Sequence, residues 1–227
     1  MTRRTALALA AAAALLAGCG GGGEDAAKAS AGTPLVGTFA VTAGACTGSG
    51  PTGSWFRMVT PTGTVEKGPY VDNADSRCAD KSVTLLAAGT DGGLRTGGFQ
   101  PQPASPFGPE GQSLSGRVVA PVQFFAVGFG VSTNAKDPQT GATVPAPVVT
   151  RDGDALSADL RSWAVGWNGQ HFNQGAPKPD GKGSKATGTY DEATGAYTLE
   201  WTSRISGGPF NGFTGVWHLT GTFRSSD

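Results

Sequence analysis

Residues 196–205 read AYTLEWTSRI. Tyr197, Leu199, Trp201 and Ile205 fall at odd positions, while Thr198, Glu200, Thr202 and Arg204 fall at even ones. Successive side chains of a strand point to opposite faces, so period two over this length is a β-strand with one apolar and one polar face. The next stretch, TGVWHLTGTF at 214–223, sends Trp217, Leu219 and Phe223 one way and Val216, His218, Thr220 and Thr222 the other. Before the decisive stretch, DEATG at 191–195 joins it to SKATGTY through a short turn, with Gly195 free to take positive φ. A second D-x-x-T-G, Asp137–Gly141, comes after the apolar run VQFFAVGFGV at 122–131. That run is long enough for a strand buried on both faces or one carrying a bulge, and the shared phrase reads as one turn solution used twice.

Elsewhere the 37 glycines and 15 prolines cluster in phrases such as GSGPTGS, QPQPASPFGPEG and GAPKPDGKG, separated by short runs rich in Val, Thr, Phe, Trp and Tyr. No helical periodicity intervenes. The expectation is an all-β chain, a single antiparallel β-sandwich or β-barrel domain over residues 34–227. From Leu156 the alternation runs through Ala158 and Leu160 and then changes phase, so that Trp163, Val165 and Trp167 share the other parity. An odd step near Arg161 and Ser162 predicts a bulge or a sharp bend. The two tryptophans read as a core stripe, and Asn168-Gly169 as a tight turn. The residues beyond that turn read as a loop dense in amides, with one imidazole. Asn168, Gln170, His171, Asn173 and Gln174 are the candidate ligand-binding residues, suited to hydrogen-bonding a sugar, carbonyl or amide. The alternative is a solvated loop whose amides satisfy its own backbone.

The N-terminus, MTRRTALALAAAAALLAGCGGGG, places Arg3 and Arg4 before an apolar run from Ala6 to Leu16. A permanent membrane helix needs roughly 20 apolar residues, so the shorter run reads as a secretory signal peptide over residues 1–18. Leu16, Ala17, Gly18 and Cys19 resemble a bacterial lipobox. That resemblance implies cleavage before Cys19, acylation of its thiol, and a protein held on the extracytoplasmic face of the cell membrane. The arginine pair also suits twin-arginine export, although its flanking residues match that pattern poorly. Residues 19–33 read as a flexible Gly/Ala-rich tether. With Cys19 taken by lipid, Cys46 and Cys78 form an even pair in an oxidising compartment, and a disulfide between them is expected.

The phrases WAVGWNG, YTLEW and GVWHLTG are similar to the C-terminal part of a loose set of secreted bacterial β-proteins of unknown activity. The likeness covers about the last third of the chain, and no catalytic residue comes with it.

Without residues 1–18 the chain keeps 209 of its 227 residues, with 15 basic against 17 acidic side chains, which leaves no basic footprint for nucleic acid. Only His171 and His218 are available as imidazole bases; there is no G-x-S-x-G elbow, no metal-ligand spacing and no phosphate loop, so neither a metal nor another cofactor is expected. Asp152, Asp154, Asp159 and Glu200 remain as carboxylates for glycoside hydrolysis. These features lead to a lipid-anchored, noncatalytic envelope domain that binds a partner, an apolar small molecule in a barrel mouth, or a glycan on its loops. A structural or adhesive surface protein comes second, and a hydrolase third. Replacing Cys19 with alanine should move the protein from membrane to soluble fractions on ultracentrifugation, and a variant that still sediments with membranes would refute the lipid anchor.

Overall fold

The computed structural model describes residues 32–226; the expected signal peptide of 1–18, Cys19 and the expected tether as far as residue 31 lie outside the described residues. Seventeen strands succeed one another within that range: β1 (Thr33–Leu35), β2 (Gly37–Val41), β3 (Ala45–Thr47), β4 (Gly50–Thr52), β5 (Trp55–Thr64), β6 (Gly68–Tyr70), β7 (Thr84–Leu85), β8 (Gly93–Arg95), β9 (Val119–Phe124), β10 (Val127–Thr133), β11 (Val148–Asp152), β12 (Ala155–Asp159), β13 (Trp163–Trp167), β14 (Gln170–Asn173), β15 (Ala186–Tyr190), β16 (Ala196–Arg204) and β17 (Thr214–Ser225). Every pairing is antiparallel. The fold is all-β. Eleven strands form a large sheet in the order β1-β11-β12-β15-β16-β17-β2-β8, with β5 branching from β17 and carrying β6 and β7. This sheet curls into a half-barrel. The strands β14-β13-β10-β9 form a second, four-stranded sheet, and β3 and β4 a small ribbon. Among the described residues no helix is long and apolar enough to cross a membrane.

The alternation in AYTLEWTSRI is realised in full. Tyr197, Leu199, Trp201 and Ile205 are buried, and Glu200, Thr202 and Arg204 are exposed. β17 obeys the same rule and pairs β16 over nine residues, with Trp201 opposite Trp217. Their indoles stack at 5.7 Å, and Trp163 meets both edge-on, at 5.1 Å and 5.5 Å. These rings belong to one continuous core shared by the two sheets.

The phase change after Leu160 is a sharp bend with a topological purpose: β12 pairs within the large sheet and β13 within the small one. Leu160, Arg161 and Ser162 carry the chain across, closed by a hydrogen bond from Trp163 N to Leu160 O. The run VQFFAVGFGV is a hairpin rather than one strand, because β9 turns into β10 at Phe125 and Ala126. Both turn residues hold positive φ, 53° and 59°, a conformation that usually requires Asn-Gly. Asp75 Oδ2 accepts from Ala126 N at 2.7 Å and Asn73 Nδ2 donates to Gln123 O at 3.1 Å, so a neighbouring loop holds this tip in place. A register shift between Phe129 and Val131 marks an irregularity within the same pair of strands.

All five residues of β13 are buried, which one sheet face alone would not achieve. Trp163, Val165 and Trp167 face the core, and the outward side is covered by the segment 107–115. Gly128, Gly130 and Gly166 leave room for it: a Cβ at Gly130 would strike the carbonyl of Ser115, and one at Gly166 would crowd Ser113 Oγ and the Phe107 ring. Cys46 and Cys78 are joined in a disulfide across 32 residues of chain, a loop closure that contributes about 3–4 kcal/mol in the chain-entropy model.

Two substitutions should shift urea midpoints in opposite directions. Gly130→Ala forces a backbone oxygen aside and should cost about 2 kcal/mol or more. Ala126→Gly removes a positive-φ penalty and should add about 0.5–1 kcal/mol. Midpoints that do not move apart would contradict this account of the small sheet.

Candidate functional site

The structure separates the five candidate residues. Asn168 and Gly169 form the expected turn, both at positive φ, but the residues after it are strand and not loop: β14 pairs β13 from Gln170 to Asn173. Alternation then splits the set. Gln170 and Gln174 share parity with Phe172 and lean toward the core side, while His171 and Asn173 face outward, beneath other segments. Asn173 is buried and its amide is fully used: Nδ2 donates to Asp137 Oδ2 at 2.7 Å and to Arg161 O at 2.8 Å, and Oδ1 accepts from Gly175 N at 3.0 Å. Gln174 is buried too, and its backbone oxygen accepts from Trp201 Nε1 at 2.8 Å while its Oε1 accepts from Trp217 Nε1 at 3.4 Å. Both residues hold the fold together and present nothing to a ligand. His171 packs against Phe107 with ring centres 4.9 Å apart and planes tilted by 42°, and burial pushes its pKa down against the pull of Asp137. Asn168 and Gln170 are exposed.

The two D-x-x-T-G turns share one hydrogen-bond pattern. Gly141 N donates to Asp137 O at 2.8 Å and Gly195 N to Asp191 O at 2.7 Å, and in both the aspartate Oδ1 accepts from the threonine backbone N–H. Their surroundings differ. Asp191 is exposed, whereas Asp137 is buried and spends its second oxygen on Asn173.

Between the sheets lies an apolar void of about 40 Å³, walled by Phe56, Phe124, Phe129, Trp167, Phe172 and Phe210, among others. Holding benzene takes a cavity on the order of 150 Å³. The void between the sheets is therefore too small for an apolar small molecule of that size.

The outer face of the large sheet offers a cleft of about 690 Å³, within the roughly 300–1,000 Å³ of small-molecule sites. One wall is the polar face of β5, β16 and β17; the other is the segment Gly175–Lys185. Registers place Thr187, Glu200, His218 and Trp55 in one row across β15, β16, β17 and β5. His218 Nδ1 donates to Glu200 Oε1 at 2.7 Å, and its ring stacks on Trp55 at 5.0 Å with the planes 7° apart. Arg57 lies 5.3 Å from the Trp55 ring centre and pairs with Asp80 at 2.6 Å. Thr202, Val216, Val65 and Trp55 line the sheet side, and Glu200 is the carboxylate among them. Asp152 and Asp154 sit instead at the β11–β12 turn, and Asp159 is held by Arg161 at 2.6 Å.

On the opposite wall Lys178 is mostly buried, and its Nζ donates to Asn173 O at 2.8 Å. Burial pushes its pKa down to about 8, partly opposed by Asp137 and Asp180. No group of three or more metal-ligating side chains occurs among the described residues.

Comparison with protein-family models, with curated proteins and with solved structures gave no match. Glu200 of the cleft and its partner His218 were legible as outward positions of their strands. Trp55 was legible in principle, since SWFRM alternates Trp55 and Arg57 with Phe56 and Met58, which puts an indole on the polar parity. Lys178 carries no local signal, because its amine is placed by the carbonyl of Asn173 and the cleft wall around it.

Between pH 8 and the ordinary lysine value of 10.5, the unfolded chain binds a proton at Lys178 that the folded chain has released. Stability therefore rises with pH across that window. Lys178→Met should be more stable than the parent at pH 7, with the difference shrinking as pH climbs from 8 to 10.5. A pH-independent difference in urea midpoints would rule out the buried amine.

Proposed function

We propose that this chain is a lipid-anchored, noncatalytic binding protein of the cell envelope, and that it takes a saccharide in the cleft between the outer sheet face and the Gly175–Lys185 segment. The observation that carries the reading is the mixed character of that wall: the half-buried indole of Trp55 with Val65 and Val216, beside Glu200, Thr187 and Thr202. A sugar ring has an apolar C–H face and a rim of hydroxyls, and such a wall can cover the one and hydrogen-bond the other. The rigid strands beneath reduce the ordering cost of binding. The lipobox-like Cys19 and the tether after it would keep the protein at the membrane surface.

A second reading, a hydrolase, draws on the His218–Glu200 pair. A carboxylate on Nδ1 is the arrangement that orients a general-base histidine, although no serine or threonine hydroxyl is hydrogen-bonded to the ring among the described residues. Cleavage of a bound saccharide that His218→Asn abolishes would favour it.

Four of the five tryptophans are buried and Trp55 is half-exposed, so iodide quenching of fluorescence should report chiefly on this site. Across a panel of neutral and acidic oligosaccharides, some member should protect the quenchable emission. Trp55→Ala should weaken that member at least about tenfold, the loss of roughly one aromatic contact, with its melting temperature little changed. A panel in which nothing protects the emission would sink the saccharide reading.

A further inference from the structure

We infer, building on the saccharide reading, that the sugar is acidic: its carboxylate seats against the Lys178 ammonium on the segment wall while its hydroxyls face Glu200 and Thr202 on the sheet wall. Lysine is rarely buried unless paired, because a desolvated charge without a counter-charge is costly. Lys178 is mostly buried, yet among the described residues no carboxylate lies within ion-pair distance of it. Its hydrogen bond goes to a neutral carbonyl. The carboxylates that act on it from farther away are already engaged. Asp137 accepts from Thr140 and Asn173, and Asp180 pairs with Lys182 at 2.9 Å.

The rest of the cleft has the same bias. Lys182, Lys185 and Arg204 join Lys178 in lining it, against the single carboxylate of Glu200, which faces His218. The chain as a whole balances 17 basic and 17 acidic residues, so the excess is local to this cleft. Burial has pushed the amine down to about 8, the response of a cation that lacks its counter-charge. The polarity also fixes the ligand's orientation. An acid group turned toward Glu200 would be repelled, whereas hydroxyl donors there would be accepted and the acid would lie on the lysine side. A neutral sugar would leave the ammonium unpaired, and an aromatic acid would bring no donors to Glu200.

The test is calorimetric titration of the purified full chain with β-1,4-linked triglucuronate and with cellotriose, which differ only in carrying a carboxylate or a hydroxymethyl on C5 of each ring. Triglucuronate should bind at least about tenfold more tightly, the worth of one charge-assisted hydrogen bond. Lys178→Gln should bring it to the cellotriose level while leaving cellotriose unchanged. Equal affinities, or a preference that survives Lys178→Gln, would overturn the acidic assignment and leave the saccharide reading standing. Failure of both sugars, and of every other saccharide, would remove that reading and this one with it. Inorganic phosphate that displaces triglucuronate at equal concentration would mark a general anion site and likewise overturn the assignment. Should Lys178→Gln fail to fold, the Lys182→Gln/Lys185→Gln double variant, changed only at exposed side chains, should still reduce the preference severalfold, and an unchanged preference there would count against the inference.

Discussion

The two indole N–H groups that end on Gln174 are the constraint on which the rest of the arrangement depends. Trp201 and Trp217 lie opposite each other on neighbouring strands with rings stacked, and Trp163 reaches in from the other sheet. Rings of that size cannot be buried with their N–H groups unpaired without cost. Gln174 meets two of them, one through its backbone oxygen and one through its side chain. Gly215 makes room, since a Cβ there would collide with the Gln174 amide. Ser203 Oγ then donates to Gly175 O at 2.9 Å, and Leu160 N to Ala176 O at 2.9 Å. The chain is thereby fixed where the Gly175–Lys185 segment begins, and that segment is the second wall of the cleft. Core packing and the candidate site are two consequences of one set of hydrogen bonds.

A similar economy governs the D-x-x-T-G turns. The local sequence specifies the same hydrogen bonds in both, because an aspartate carboxylate can cap the two or three N–H groups that come after it wherever it sits. Only one of the two aspartates is buried. Asp137 reaches β14 and holds Asn173, whose carbonyl in turn receives Lys178. The same D-x-x-T-G pattern at Asp191 caps an exposed turn with no residue in the cleft, so a motif that reads the same twice contributes to the site once.

The five polar residues at 168–174 show where single-sequence reasoning stops. Polarity and turn chemistry marked the stretch after Trp167, and Asn168-Gly169 does turn there. The amides of Asn173 and Gln174 looked available because a loop would leave them in solvent; as a strand edge under other segments they are consumed by the protein itself. Conversely, the cleft draws on five separate parts of the chain, and their row of Thr187, Glu200, His218 and Trp55 exists only because β15, β16, β17 and β5 pair in one register. The run VQFFAVGFGV misled for a related reason: its turn is built from Phe125 and Ala126, which carry no turn preference and hold positive φ through contacts from the loop at residues 73–75.

What the sequence determined by itself was everything written with a period of two: the all-β class, the buried and exposed faces of β16 and β17, the turn at Asn168, and the phase change at Arg161 and Ser162. These are local, because a strand's alternation and a turn's φ values are properties of consecutive residues. The tertiary structure alone decided that the phase change is a passage between sheets, that glycines at 128, 130 and 166 admit a covering segment, and that Lys178 is mostly buried with no carboxylate in ion-pair distance among the described residues. Each depends on which distant backbone lies against which face, and burial, the quantity that shifts a lysine or consumes an amide, is set by neighbours that are far away in sequence.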